Sequence, residues 1–63
     1  MPVINIESSK MSKSQRESLV KEITEISAEI LELPKESITI LIKEIDHEHV
    51  GVGGVLLCNI PHS

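Results

Sequence analysis

The sequence predicts an α/β fold, a single βαβ unit followed by a short C-terminal β-hairpin. Two β-branched segments flank one long segment whose apolar residues recur at helical spacing, and a glycine-rich segment follows the second of them. The 63 residues correspond to a single domain, residues 1–63. Because a chain of this length buries only about 60% of its unfolded surface, we expect the domain to need additional stabilisation.

The first predicted strand runs from Pro2 to Glu7 and is rich in valine and isoleucine. Proline is tolerated at the first position of a strand, and the two serines that follow indicate a loop. The predicted helix runs from Lys13 to Glu32. Ser12 and Gln15 have the spacing of a capping box at its start. Its apolar stripe, at steps of three and four, consists of Leu19, Ile23, Ile26, Ile30 and Leu33.

Pro34 disfavours helical geometry at the preceding residue, so it helps to end the helix, and a turn follows. The second predicted strand, Ile38 to Ile45, is nearly continuous in β-branched residues, as is typical of a strand covered on both faces. A strand, a helix and a strand form a right-handed crossover with parallel strands. We therefore expect the helix to cover one face of the sheet, and the other, apolar face to need a partner subunit.

The C-terminal segment from Val50 to Val55 alternates glycine with valine, which predicts a glycine-rich turn and a short strand or hairpin. We expect the last three residues, from Pro61, to be frayed. The single Cys58 excludes an intrachain disulfide, and the chain has no aromatic residue. Because disulfides are ruled out and the core is purely aliphatic, oligomerisation is the expected source of stability.

Composition excludes several classes of function. The formal charge is −4, the pI is near 5.2, and the six basic residues form no stripe that would neutralise phosphates, so we expect no nucleic acid partner. No apolar run has transmembrane length, and no secretory signal precedes the first strand, so we expect no membrane association. A cytoplasmic location suits the lone thiol.

Pro2 is the candidate catalytic residue. Methionine followed by proline favours removal of Met1, which would convert the amide nitrogen of Pro2 into a secondary amine. The reference pKa of an α-amino group is roughly 7.7–8.0, and apolar surroundings lower it, as a base working near neutral pH requires. Val3, Ile4 and Val50 are candidates for such surroundings. The alternative is that Met-Pro starts the chain without catalytic consequence.

The whole chain resembles the 4-oxalocrotonate tautomerase (2-hydroxymuconate tautomerase) family of short subunits. The resemblance lies in the opening Pro2-Val3-Ile4-Asn5-Ile6, the Ser12-to-Gln15 helix start, Leu33-Pro34, the aliphatic strand to Glu44, and Val50-Gly51-Val52-Gly53-Gly54. It implies a βαβ subunit that assembles as a homohexamer, a trimer of dimers. It also implies an amino-terminal proline that acts as general base.

The sequence departs from the family at three positions. Family members have an arginine before the helix, a second arginine early in the second strand of a neighbouring subunit, and a phenylalanine before the glycines. Met11, Thr39 and Val50 stand there. We interpret Val50 as the residue that lines the substrate site in place of the phenylalanine.

Two lysines are candidate replacements for the missing arginines in binding a substrate carboxylate. Lys10 lies in the shortened first loop, and Lys43 shares a strand face with Thr39 at a period of two. Lysine supplies a point charge where arginine would bind a carboxylate through two parallel hydrogen bonds. The alternative for each lysine is a solvated charge, and Arg16 in the first helical turn is a further possible cation.

The remaining polar motifs do not indicate a site. His47 and His49 flank Glu48, but two imidazoles do not complete a zinc site, so we interpret the segment as a solvated turn without metal. The glycines lack the Gly-Lys-Ser/Thr ending of a phosphate loop. Cys58 has no basic residue near it in the sequence, which predicts an inert thiol.

Together these features predict an enzyme, a tautomerase that moves a proton between oxygen and carbon of a small anionic enol or dienol acid, with Pro2 as the base. No cofactor is needed, because the conjugated carbonyl delocalises the charge. The same amine would also suit iminium chemistry. The alternative is a non-catalytic or repurposed oligomeric binding module of the same fold.

Overall fold

The computed structural model describes residues 1–61, and its element order confirms the predicted βαβ unit with a C-terminal hairpin. The predicted frayed tail falls largely on His62 and Ser63, outside the described residues. The elements are β1 (Val3–Ser8), α1 (Lys13–Leu31), β2 (Thr39–Glu44), β3 (Gly51–Val52) and β4 (Val55–Leu56). Three short 3₁₀ turns accompany them: Lys35–Ser37 precedes β2, His47–His49 precedes β3, and Leu57–Asn59 follows β4.

Strands β1 and β2 are parallel, with Val3 opposite Thr39 and Ser8 opposite Glu44. Each strand is shorter than predicted at its N-terminal end, because Pro2 has no N–H to donate and Ile38 closes the preceding 3₁₀ turn by donating to the carbonyl of Lys35. At its C-terminal end β1 continues one residue beyond the predicted Glu7, whereas β2 ends one residue before the predicted Ile45.

The predicted capping box starts α1. The backbone N–H of Gln15 donates to Ser12 Oγ at 3.1 Å, and the N–H of Ser12 donates to Gln15 Oε1 at 2.9 Å. The helix ends at Leu31, one residue before the predicted Glu32, which adopts a left-handed conformation with φ 55°. The N–H of Leu33 then donates to the carbonyl of Ala28, a bond typical of a left-handed helix end. The chain has therefore left helical geometry before Pro34 restricts it.

Helix α1 covers one face of the sheet, where Ile4, Ile6, Ile40 and Ile42 are half-buried. We expected the opposite face to be apolar, but it alternates apolar with polar residues. Its side chains are Val3, Asn5 and Glu7 from β1 and Thr39, Leu41 and Lys43 from β2. In the single chain the helix thus covers β2 on one face only, and successive side chains of each strand alternate between that face and the open one.

Two strands are too narrow to cover the apolar stripe of the helix. Ile26 is 56% and Ile30 is 71% exposed, and among residues 1–61 no side chain is fully buried. The radius of gyration is 15.3 Å, whereas a compact domain of this length has roughly 10–11 Å. The single chain therefore leaves most of its apolar residues without a core.

The C-terminal hairpin has a two-residue loop, because Val52 lies opposite Val55. Gly53 and Gly54, at φ 60° and 86°, adopt the positive angles that the twist of such a loop requires. Val52, Val55 and Leu56 remain exposed. Within residues 1–61 no helix combines the length and the apolarity needed to cross a bilayer.

Candidate active site

Pro2 lies at the N-terminal end of the parallel sheet, immediately before β1. It is half-buried, and its carbonyl accepts a hydrogen bond of 3.1 Å from the N–H of Thr39. Met1, attached through the amide of Pro2, is 91% exposed. Removing Met1 would therefore uncover the nitrogen without disturbing any packing, and Thr39 would be its neighbour on β2.

Lys10 and Val50 lie at the opposite, C-terminal end of the sheet, where two cavities open. The first, of about 510 Å³, is lined by Ser9, Lys10, Glu44, Ile45, Asp46 and His47. The second, of about 410 Å³, is lined by Glu7, Ser8, Ser9, Ile45, His47, Val50 and Leu57. The two cavities share a wall, so Lys10 and Val50 belong to one region of the surface.

Arg16 fixes the loop that carries Lys10. Its guanidinium pairs with the carboxylate of Glu44 and also donates to the carbonyl of Met11 at 3.2 Å. These contacts tie the first helical turn to the end of β2 and offset the charge of Glu44 beside the first cavity. Arg16, a further candidate cation on sequence grounds, is thus paired within its own chain.

Lys43 lies opposite Glu7 on the face of the sheet that the helix leaves uncovered. Thr39 is on the same face, as its spacing predicts. The side chain of Lys43 is exposed. An acidic neighbour across the strands and open solvent around it are also what a solvated charge would have.

One chain does not bring the candidate residues together. Pro2 and Ser8 are six positions apart along extended chain, roughly 20 Å, and both Lys10 and Val50 lie beyond Ser8. Val50 is therefore not part of the surroundings of Pro2 in its own chain, whereas Val3 and Ile4 adjoin it along β1. Only a second copy of the chain can place a C-terminal end of the sheet next to Pro2.

His47 follows β2, in a segment for which the sequence predicts a solvated turn. In the structure it is half-buried in the 3₁₀ turn His47–His49 and lines both cavities, whereas His49 is exposed. The sequence feature that could have indicated a role for His47 is its position shortly after the second strand. Residues that directly follow a strand of a parallel sheet collect at the C-terminal edge, where ligands of open α/β sheets bind.

Comparison with known proteins places this architecture in a family. Residues 2–58 match the family model described as tautomerase enzyme. A probable tautomerase of Listeria monocytogenes serotype 4b is 44% identical over 41 residues, which cover 65% of this chain and 67% of the relative. A 2-hydroxymuconate tautomerase of Pseudomonas fluorescens is 35% identical over 43 residues, 68% of each chain.

Among solved structures, DmpI from Archaeoglobus fulgidus superposes with a TM-score of 0.83 at 36% identity, covering 92% of this chain and all of that one. The match in sequence and the match in structure agree, since the family model and this superposition each extend over most of the chain. The chain therefore belongs to the tautomerase family, of the 4-oxalocrotonate tautomerase type, and is a probable tautomerase.

Proposed function

We propose that this chain is a subunit of a homo-oligomeric tautomerase in which Pro2, freed by removal of Met1, is the general base. The observation that carries the proposal is the position of Pro2. It follows an exposed methionine, directly precedes the strand β1, and is also the residue at which the family match begins. A secondary amine at this position is a base suited to neutral pH if its surroundings lower its pKa.

The proposed reaction is the ketonisation of an enol or dienol acid. The neutral nitrogen of Pro2 removes the proton of the enol hydroxyl, and the electron pair of the broken O–H bond forms the carbonyl while the conjugated system carries electron density to carbon. The protonated nitrogen then returns the proton to that carbon. No atom is lost or gained, so the step is a tautomerisation that needs no cofactor.

The substrate class follows from the charges. One relative is named as a 2-hydroxymuconate tautomerase, which supports a small 2-hydroxydienoate as the substrate. Met11 and Thr39 are neutral, so a substrate carboxylate would be bound by Lys10, which lines the first cavity, or by Lys43 on the uncovered face. Val50 would form the apolar wall of the second cavity.

The active site would be shared between subunits. Pro2 and Lys10 lie at opposite ends of the sheet, and the single chain has no fully buried side chain among residues 1–61. Association would cover the exposed flank of α1 and the open sheet face, and would also bring the two ends together. We propose a homohexamer of single-domain subunits, and a cytoplasmic location stays an expectation of the sequence.

The decisive experiment compares Met1-cleaved and Met1-retained protein, each verified by intact mass and brought to the same oligomeric state. Ketonisation of 2-hydroxymuconate and of enol-phenylpyruvate would be followed by ultraviolet absorbance. We expect activity only in the cleaved form, with kcat/KM rising with pH as the amine loses its proton. Pro2→Ala in cleaved protein leaves a primary amine, so it should retain part of the activity.

Two results would contradict the proposal. Equal rates for the cleaved and the retained form would exclude the Pro2 nitrogen as the base. No rate above buffer for the cleaved form would favour the non-catalytic binding module.

A further inference from the structure

We infer that His47 is a substrate-binding residue, whose imidazole donates a hydrogen bond to the carboxylate or enolate oxygen of the acid that Lys10 attracts. This inference rests on the proposed function and deepens it. His47 would be a binding residue in addition to Lys10 and Lys43, the candidate replacements for the family's arginines.

The position of His47 carries the inference. Three residues line both cavities, Ser9, Ile45 and His47, and of these only His47 has a side-chain nitrogen that can donate a hydrogen bond. Its carbonyl accepts a hydrogen bond of 3.4 Å from the N–H of Val50. The imidazole therefore stands between the cavity of Lys10 and the cavity of Val50, on a backbone that is tied to Val50.

The charges around the first cavity explain why such a donor is useful. Lys10 and two carboxylates, Glu44 and Asp46, line it. Arg16 offsets Glu44, and the carboxylate of Asp46 accepts a hydrogen bond from the N–H of Glu48 at 3.4 Å. Lys10 would then share this cavity with the carboxylate of Asp46 while binding an anion. The imidazole N–H on the same wall adds a hydrogen-bond donor for the acid, in a chain whose Met11 and Thr39 provide no charge.

His49 is a matched control within the same 3₁₀ turn. It is exposed and is absent from the lining of both cavities, although it differs from His47 by only two positions. A general effect of histidine on charge or on the stability of the turn would change both variants alike. An effect confined to His47 would reflect the cavity.

The test measures KM and kcat of Met1-cleaved wild type, His47→Ala, His47→Gln and His49→Ala, with enol-phenylpyruvate and 2-hydroxymuconate. We expect His47→Ala to raise KM by about tenfold or more, the size of a lost hydrogen bond to a charged group, with a smaller change in kcat. His47→Gln keeps an N–H donor but loses the ring, so its KM should lie between those of wild type and His47→Ala. His49→Ala should stay within about twofold of wild type.

A second measurement guards against misfolded variants. The imidazole signals of His47 in the nuclear magnetic resonance spectrum of cleaved wild type should shift on addition of the keto product phenylpyruvate, while those of His49 should not. Equal KM values for the His47 and His49 variants in an active enzyme, or a loss of stability without a change in KM, would overturn the inference and leave the proposed function intact. An inactive cleaved wild type would remove both.

Discussion

Met1 decides whether the nitrogen of Pro2 is an amide or an amine. The amide has no basic lone pair, whereas the amine has one and a pKa that its surroundings can adjust. Met1, whose removal the proposed function requires, is 91% exposed, and Pro2 is held to β2 through its carbonyl. A single peptide bond at the end of a strand thus separates the two chemical states of the site.

The two candidate lysines differ in their surroundings. Lys10 lines a cavity, whereas Lys43 projects from an open sheet face opposite Glu7. We predict that Lys10→Ala raises KM for an anionic substrate about tenfold, the size of a lost charge-assisted contact, and that its rates become less sensitive to salt. Lys43→Ala should raise KM less, because Lys43 is exposed on an open sheet face with the acidic Glu7 beside it in the strand register.

Steady-state kinetics at two ionic strengths would check both lysines. Lys21→Ala is the control, since it removes the same charge from the helix at a residue that lines neither of the two C-terminal cavities. Unchanged KM values for the Lys10 and Lys43 variants would assign both lysines to the solvated surface.

At the scale of elements, the helix is defined by its two ends. The reciprocal bonds between Ser12 and Gln15 satisfy backbone and side-chain groups at the start, and the left-handed Glu32 satisfies carbonyls at the end. Between them Arg16 links the first turn of the helix to Glu44 at the end of β2. The position of the loop that carries Lys10 is therefore fixed from the helix side.

We predict that Ser12→Ala lowers the free energy of unfolding by about 0.5–2 kcal/mol per chain, because the N–H of Gln15 loses its acceptor. Urea unfolding followed by circular dichroism, at one fixed protein concentration, would measure the loss. Ser14→Ala, two residues further on and inside the helix, is the matched control. It should be neutral or slightly stabilising because alanine favours helix. If both variants unfold at the wild-type midpoint, the capping box contributes nothing measurable to the assembled protein.

In the molecule as a whole, the predicted strands and helix are present, but residues 1–61 of the single chain form no fully buried core. Its apolar flank on α1, the apolar residues of its hairpin and one sheet face are all exposed in the single chain. Apolar burial is the main favourable term in folding. Because no side chain among residues 1–61 is fully buried, the single chain has little to offset its conformational entropy. Association would supply that burial.

We predict that Ile30→Glu dissociates the assembly. In the single chain Ile30 is 71% exposed, so a carboxylate there would be harmless unless a second copy covers it. Burying an unpaired charge at a subunit contact is strongly unfavourable. Sedimentation velocity should show wild type at several times the 7.0 kDa subunit mass and the variant at a lower mass or unfolded.

The control for Ile30 is Ser18→Glu, which adds the same charge to an exposed position of α1 and should assemble normally. A wild type that is a stable folded monomer would contradict the proposed assembly. An Ile30→Glu variant of wild-type mass would show that this flank stays open to solvent in the oligomer.

Local sequence patterns were sufficient to predict the types of the secondary-structure elements and their order. The capping box, the β-branched segments and the pair of glycines in the hairpin act through local backbone geometry, which is encoded by residues close together in the chain. Several ends differ from the predicted ones by one residue, where the missing N–H of Pro2, the 3₁₀ turn before β2 or a left-handed residue ends the regular pattern. Glu32, for example, left the helix to adopt a left-handed conformation.

Which candidate residues are neighbours depends on the tertiary structure. The register of β1 and β2 places Thr39 beside Pro2, and Lys43 opposite Glu7. The return of the chain at the C-terminal edge places His47 between the cavities of Lys10 and Val50. These relations depend on strand pairing and on the meeting of loops from separate parts of the chain. A local sequence pattern encodes neither the pairing of strands nor the meeting of distant loops. The separation of Pro2 from Lys10 within one chain therefore could not be predicted from the sequence.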